Sequence, residues 1–176
     1  GVAQVLMGLA ALASLPMFAQ SFQWVGWFMG IFPRTETGYY LFSLGSGVVA
    51  LLVMFPAAFF AGMTLPLFTM ALLRRGYGEK SIGRIYAANT LGAIVGVVLA
   101  MHVLIPLLGL RLAVTVAAFA DIVLGLVLLR ALSTIFKPKL YFGALGATLV
   151  VASLSLLFGG ADPRALASGV FRHGLF

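Results

Sequence analysis

The chain has little of what a water-soluble protein needs. None of its 176 residues is cysteine, which excludes disulfide bonds, thiolate metal sites and a cysteine nucleophile. Charged residues make up 9% of the sequence, whereas a soluble domain carries about 25%. So few charges cannot cover a surface that faces water. The composition therefore excludes an ordinary soluble domain.

Acidic residues and catalytic motifs are equally scarce. The sequence contains no dinucleotide-binding GxGxxG, no P-loop, no HExxH and no nucleophile elbow. For this chain alone we therefore expect no catalytic residue, no metal site and no cofactor. The acids that could serve as bases or ligands number four: Glu36, Glu79, Asp121 and Asp162.

Long apolar runs are what the chain has in abundance. Hydrophobic residues make up 62% of it and the mean hydropathy is +1.15, and several runs exceed the roughly 18 residues that indicate a membrane span. We predict an all-α, multi-pass transmembrane helix bundle, residues 1–160, in the cytoplasmic (inner) membrane, followed by a polar tail, residues 161–176. The predicted spans number about five: 2–19, 39–61, 82–105, 110–129 and 140–158.

Residues 21–33, SFQWVGWFMGIFP, interrupt this pattern. They are too few to cross a membrane as a helix. The indole rings of Trp24 and Trp27 favour the headgroup level. We therefore predict an interfacial or re-entrant segment here, and we expect Pro16 to bend or end the span before it.

Helix breakers also divide the later runs. Residues 38–73 form one apolar run, too long for a single straight span across about 30 Å of hydrocarbon. We expect this run to break or tilt at Pro56 and Pro66. Pro106 and Gly109 are expected to end the third span in a tight hairpin.

The net charge is +7, from eleven basic and four acidic residues. No basic stripe with interleaved aromatic residues occurs in a polar segment, so we expect no nucleic-acid partner; the lipid bilayer is the expected partner of these charges. By the positive-inside rule, loops 74–84 and 130–139 are predicted cytoplasmic and the C-terminal tail external. The cytoplasmic group comprises Arg74, Arg75, Lys80, Arg84, Arg130, Lys137 and Lys139; the other comprises Arg34, Arg111, Arg164 and Arg172.

Small residues recur every fourth position along the third span, at Ala88, Gly92, Gly96 and Ala100. Lipid offers no hydrophobic drive for helices to associate, so small residues that allow close backbone approach typically mark a packed helix contact. We favour an internal contact with the second or fourth span. A contact with another subunit is the alternative.

Asn89 and Thr90 lie on the same helix near its predicted cytoplasmic end. Such a pair can bond to a neighbouring helix or to a carbonyl freed by Pro56 or Pro66. This packing role is the favoured interpretation. Contact with a substrate is the alternative.

Asp121 is the one acid inside a predicted span. An ionisable group at that depth is a functional candidate, as a proton relay, an ion site or the partner of a cation. A neutral aspartic acid bonded to a neighbouring helix is an equally weighted alternative. His102 is the nearest titratable residue, but the two depths differ by roughly 7 Å at 1.5 Å per residue, which argues against a direct relay.

Three stretches carry a family resemblance: GRIYAANTLGAIVGVVLAMHVLIPLLGLRL (83–112), FPAAFFAGMTLPLF (55–68) and LASGVFRHG (166–174). They resemble the membrane region of fused membrane/spermidine-synthase-like proteins, whose membrane part is described as major-facilitator-like. Members tend to have a glycine and an aromatic residue where this chain has Met101 and His102, and often asparagine at the position of Asp121.

The resemblance implies a role as a non-catalytic membrane anchor or scaffold. If a soluble synthase-like domain is attached, it implies an aminopropyltransferase that acts on a polyamine. That domain would need cytosolic decarboxylated S-adenosylmethionine, whereas the charge bias places the tail outside. Two alternatives stay open: a transporter-like half-bundle for a small, possibly cationic substrate, and a structural subunit that binds other membrane subunits.

Overall fold

The computed structural model describes residues 1–132, 138–158 and 160, and these residues form helices without any strand. The predicted polar tail, residues 161–176, lies outside the described residues. A π-helical turn, Ala100–Leu104, joins the third and fourth helices. The α-helices are α1 (Val2–Ile31), α2 (Glu36–Arg74), α3 (Lys80–Leu99), α4 (Ile105–Leu132) and α5 (Pro138–Phe158).

Four helical runs are long and apolar enough to cross a membrane: α1, α2, α5 and the run Lys80–Ala131, which contains α3 and α4. The expected all-helical, membrane-compatible architecture is confirmed at this level. The run Lys80–Ala131 has 52 residues, about 78 Å of helix at 1.5 Å per residue, which exceeds a single crossing. Its number of crossings stays a prediction, and its helical backbone has a break at Gly109.

α1 is one continuous helix of 30 residues. Residues 21–31 continue it without interruption, so the predicted interfacial or re-entrant segment is not a separate element, and its position relative to the membrane surface stays a prediction. At about 45 Å, α1 is longer than a hydrocarbon core of about 30 Å. Trp27 is 65% exposed near its C-terminal end, where an indole ring suits the headgroup level.

Pro16 lies inside α1 and does not end it. A proline has no N–H, so the carbonyl of Leu12, four residues earlier, loses its normal helical donor. The Ser155 hydroxyl on α5 donates to that carbonyl at 2.6 Å, in a buried contact. A hydroxyl from a neighbouring helix is a recognised way to satisfy a carbonyl freed in a membrane helix. The helix survives its proline because α5 supplies the missing bond.

α2 also continues through its prolines, Pro56 and Pro66. It begins at Thr35, whose hydroxyl accepts a hydrogen bond from the Gly38 N–H at 3.2 Å, a normal N-cap. The predicted break is therefore absent. Each proline removes one main-chain bond while the flanking turns keep theirs. The 39 residues of α2 extend about 58 Å, so the helix must tilt or project from the bilayer.

The predicted hairpin between the third and fourth spans is made differently from what the sequence suggested. Pro106 lies within the first turn of α4, directly after the wider π-helical turn. A π-turn gives a proline ring the room that an α-turn lacks. The backbone leaves the helical region only at Gly109, with φ 76° and ψ 164°. A positive φ of that size is accessible mainly to glycine.

The core lies between α1, α4 and α5, with α1 also packed along α2. Gly8 permits the closest approach, since a Cβ at this position would lie 2.5 Å from the Ala118 carbonyl oxygen. By contrast, α3 packs mainly against one other α-helix, α2. The buried core side chains are Leu12, Leu15, Ala118 and Ile122.

The ends of the helices form two groups, one at each end of the bundle. A Cβ on Gly1, where α1 starts, would touch the Leu129 side chain near the end of α4. The same end holds Ala71 of α2, which lines a cavity with Gly1. At the opposite end, Arg111 bonds the last carbonyls of α5. The ends of α2 and α4 therefore lie together, as the charge grouping requires, although which side is cytoplasmic stays a prediction.

Candidate functional site between the first and fourth helices

A polar contact joins α1 to α4 inside the bundle. The Gln4 side-chain amide donates from Nε2 to Asp121 Oδ1 at 2.7 Å, across 117 residues of sequence. Gln4 is 6% exposed, while Asp121 is half-buried. Within the described residues Gln4 is the only polar partner of Asp121. The acid therefore binds an amide, and no described cation neutralises it.

The close approach of the two helices explains why so short a side chain reaches its partner. Gln4 belongs to the buried face of α1, which includes Val5 and Gly8 one turn further on. On α4, a Cβ at Gly125 would lie 2.7 Å from the Val5 Cγ2 atom. Two glycines thus bring the helix backbones together on either side of Asp121. Small residues serve this purpose widely in membrane helices.

The other end of the Gln4 amide is unsatisfied. Its Oε1 atom is buried and has no hydrogen-bond partner among the described residues. Gln4 also lines a cavity of about 90 Å³ between α1, α2 and α4. Among the described lining residues, Thr64 is the other one with a polar side chain; these residues are Gly1, Ala3, Gln4, Thr64, Leu67, Phe68, Ala71 and Leu128.

The other predicted polar residues do not join this site. His102 lies in the π-helical turn, is exposed, and has its Nδ1 3.2 Å from the Val98 carbonyl oxygen of its own helix. Thr90 donates to the Tyr86 carbonyl at 3.0 Å, also within its own helix. Asn89 is exposed. The structure therefore gives Asp121 a glutamine partner that the sequence did not indicate.

The small-residue stripe on α3 faces outward. Ala88, Gly92 and Gly96 are exposed, and Ala100 is partly buried. A Cβ added at Gly92 or Gly96 would meet no atom of the described part of the chain within 4 Å. The favoured internal contact with α2 or α4 is not made at these two glycines in the described chain. Contact with another chain stays a prediction.

Sequence reasoning missed Gln4, Gly8 and Gly125. One signal was available: Gln4 and Gly8 are spaced by four residues inside an apolar run, which places a polar and a small residue on one helix face. Hydropathy along this run predicts a span but does not indicate which face of the helix is buried. Among the described residues, no group of three or more His, Asp or Glu side chains is placed to hold a metal ion.

A comparison of the chain with known protein families, characterised proteins and solved structures gave no match in any of the three.

Proposed function

We propose that residues 1–160 are a non-catalytic integral-membrane anchor or scaffold of a larger protein. The observation that supports it best is the close packing of α1 against α4 at Gly8, within a bundle whose helices are long and apolar enough to cross a membrane. Pockets for small-molecule ligands measure about 300–1,000 Å³, whereas the cavity beside Gln4 measures about 90 Å³. The cavity beside Gln4 is therefore smaller than a typical ligand pocket, which agrees with a structural role.

The resemblance of residues 55–68, 83–112 and 166–174 to spermidine-synthase-like fusion proteins supports the second half of the proposal. The larger protein would carry a soluble synthase-like domain after residue 176. Its implied activity is aminopropyl transfer to a polyamine. These 176 residues would then hold the enzyme at the membrane without taking part in the reaction.

The test is the intact mass of the native polypeptide, solubilised from membranes in detergent. A mass far above 18.6 kDa supports a fusion, and purified material should then transfer an aminopropyl group in a direct assay. A mass near 18.6 kDa contradicts the fusion. Extraction of the chain from membranes by alkaline carbonate would contradict the anchor itself, because an integral helix bundle resists that treatment.

A structural subunit of a larger membrane complex is a second candidate, favoured by the outward-facing stripe on α3. If this stripe packs on a partner, Gly96→Leu should release the partner while leaving the chain folded, because no atom of the described residues lies within 4 Å of a Cβ at that position. Gly47→Leu is the matched control, since Gly47 is an exposed helical glycine of α2 with equally open surroundings. Equal retention of partners by both variants would exclude the stripe as the interface.

A transporter-like half-bundle is a third candidate, favoured by the contact between Gln4 and Asp121. An ionisable residue that contacts a second helix at membrane depth is a feature of coupled transport. Asp121→Asn should then abolish movement of the coupled solute in reconstituted vesicles. Intact transport in that variant would exclude the candidate.

A further inference from the structure

The Gln4 amide uses one of its two polar ends. Its Nε2 atom donates to Asp121 Oδ1 at 2.7 Å, while its Oε1 atom has no partner among the described residues and is closed to water. A buried acceptor without a donor costs free energy, and burial prevents water from supplying the donor here. A donor on a side chain that already contacts the amide would remove this cost.

Asp121 is the described side chain that contacts this amide, and its protonation state decides whether it can donate. An ionised carboxylate offers acceptors only, whereas a protonated acid has one hydroxyl donor and keeps its carbonyl oxygen as an acceptor. The observed bond from Nε2 to Oδ1 is therefore compatible with both states. A proton on Oδ2 would add a donor next to the amide and leave that bond in place.

The chemistry of the two groups allows a second bond beside the first. Oε1 and Nε2 share one carbon of Gln4, and the two carboxyl oxygens share one carbon of Asp121. The terminal torsions of both side chains turn easily, because their energy wells are broad. Two planar groups joined by one hydrogen bond can therefore rotate until the Oδ2 hydroxyl points to Oε1, and the amide then uses both of its polar ends.

The charges around the contact do not replace this proton. Residues 2–31 of α1 include no ionisable side chain. Along α4, Arg111 and Arg130 are ten and nine residues from Asp121, about 15 and 14 Å at 1.5 Å per residue. A carboxylate without a cation is costly at membrane depth, and a bound proton removes its charge. The ionisable residues of the surrounding elements are Glu36, Tyr39, Tyr40 and Arg74 of α2, His102 of the π-helical turn, Arg111 and Arg130 of α4, and Lys139 and Tyr141 of α5.

We propose that the contact between α1 and α4 is a proton-binding site, in which Asp121 takes a proton from water on Oδ2 and shares it with Gln4 Oε1. The acid and the amide then form two hydrogen bonds, Nε2 to Oδ1 and Oδ2 to Oε1. Release of the proton to water leaves the first bond alone, so the bound proton ties α1 more firmly to α4. The inference does not depend on the anchor proposal, because an anchor requires no titrating group.

The experiment is infrared difference spectroscopy of the full-length protein in detergent, between mildly acidic and mildly alkaline buffers. The carbonyl stretch of a protonated carboxylic acid lies at a higher frequency than the bands of carboxylates and amides. ¹³C in the aspartate side chain lowers this frequency and so identifies an aspartic acid. We expect an Asp121 band of this kind that is lost as the pH rises and that is absent from Asp121→Asn.

The unfolding midpoint of Asp121→Asn tests the two hydrogen bonds. An asparagine amide can donate to Oε1 and accept from Nε2, as the protonated acid does. In the unsubstituted protein, loss of the proton with rising pH leaves Oε1 without a donor. The midpoint should therefore fall by about 2–4 °C over this titration, and Asp121→Asn should lack this fall.

Gln4→Met tests whether the proton is shared with the amide. Without Oε1 the Asp121 hydroxyl loses its acceptor, so the band of the protonated acid should move to a higher frequency. Gln23→Met is the matched control, since Gln23 is an exposed glutamine of the same helix, and it should leave the band unchanged. If Gln4→Met does not fold, ¹³C in the glutamine side-chain carbonyls decides: a labelled band should shift as Asp121 loses its proton, and this shift should be absent from Asp121→Asn.

Three outcomes would overturn the proposal. Absence of a protonated Asp121 band at every pH at which the protein is folded would mean that this carboxylate stays ionised. An Asp121 band that is identical in Gln4→Met and in the unsubstituted protein would mean that the proton is not shared with Gln4. A midpoint that falls equally in Asp121→Asn would mean that another group titrates.

Discussion

The Ser155 hydroxyl donates to the Leu12 carbonyl at 2.6 Å, and Leu12 is the residue whose helical donor Pro16 removes. Two residues 143 positions apart thus complete one turn of helix. The contact explains how a proline lies within α1, and it also fixes the position of α5 on α1. A substitution at Ser155 should therefore leave the Leu12 carbonyl without a hydrogen bond, because Pro16 cannot supply the usual helical donor.

Ser155→Ala should lower the free energy of unfolding by about 1 kcal/mol, within the range of hydrogen bonds between membrane helices. In a Pro16→Ala background the same change should have a smaller effect, because the introduced alanine provides an N–H that bonds the Leu12 carbonyl. The measurement is a double-mutant cycle on reversible unfolding in mixed micelles.

Ser153→Ala is the control for that cycle, since Ser153 is exposed and its hydroxyl bonds the Leu149 carbonyl of its own helix. It should unfold like the unsubstituted protein in both backgrounds. An effect of Ser155→Ala that is equal with and without Pro16 would show that the serine stabilises α5 in some other way.

Gly8→Ala should destabilise the bundle by about 1–3 kcal/mol, the usual effect of overpacking. The added Cβ would lie 2.5 Å from a backbone oxygen and 2.6 Å from the Ile122 side chain. Relief requires α1 and α4 to move apart, which would also stretch the contact between Gln4 and Asp121. The measurement is the unfolding midpoint in detergent.

Gly96→Ala is the comparison for Gly8, since a Cβ at Gly96 meets nothing within 4 Å. Alanine favours helix over glycine by about 1 kcal/mol, so this variant should be as stable as the unsubstituted protein or slightly more so. If Gly8→Ala lowered the stability no more than Gly96→Ala does, that result would contradict the close approach of α1 and α4 at Gly8.

Arg111→Gln should weaken the attachment of α5. The guanidinium donates to the Ser155 and Leu156 carbonyls at 3.2 and 2.5 Å, near the negative end of that helix. We expect the free energy of unfolding to fall by about 1 kcal/mol. The backbone amides of α5 should then exchange their hydrogens earlier than those of α1. Arg84→Gln, at an exposed arginine of α3, should leave the exchange of α5 unchanged; an equal effect of both would point to net charge as the cause.

The absence of cysteine makes the orientation measurable with single introduced thiols. Tyr77→Cys, in the turn between α2 and α3, should react with an impermeant maleimide only from the cytoplasmic side. Thr37→Cys, at the start of α2, should react only from the outside. Reaction of both from one side would contradict the membrane crossing of α2.

Leu107→Cys tests the number of crossings, since Leu107 is 77% exposed close to the Gly109 break. If α3 and α4 cross separately, this thiol lies at the outer surface and reacts from outside, like Thr37→Cys. If the run Lys80–Ala131 instead turns back within the bilayer, the thiol is in lipid and unreactive from both sides. We expect the thiol of Leu107→Cys to react from the outside, which would indicate five membrane crossings of the chain.

Composition alone was sufficient to predict a membrane-compatible helix bundle, because hydropathy over 18 or more residues is a local property. Helix ends were predicted less well. Pro16 was expected to bend or end its helix because the serine that compensates for it lies on α5, far along the chain. The same limit applied to the site: Asp121 was identified from its own position, but its partner Gln4 required knowledge of which faces meet. Pattern within one helix cannot provide that knowledge.

The bond between Ser155 and Leu12 also has a consequence for the assembly of the protein during synthesis. Ribosomes add about 5–20 residues per second, so the 143 residues between donor and acceptor take roughly 7–30 s to produce. Throughout that interval the Leu12 carbonyl lacks both its helical donor and its final partner. Lipid cannot donate a hydrogen bond to it. Until α5 emerges, water or another polar group must serve that carbonyl, so the final packing of α1 at this turn is completed only when the last helix has been made.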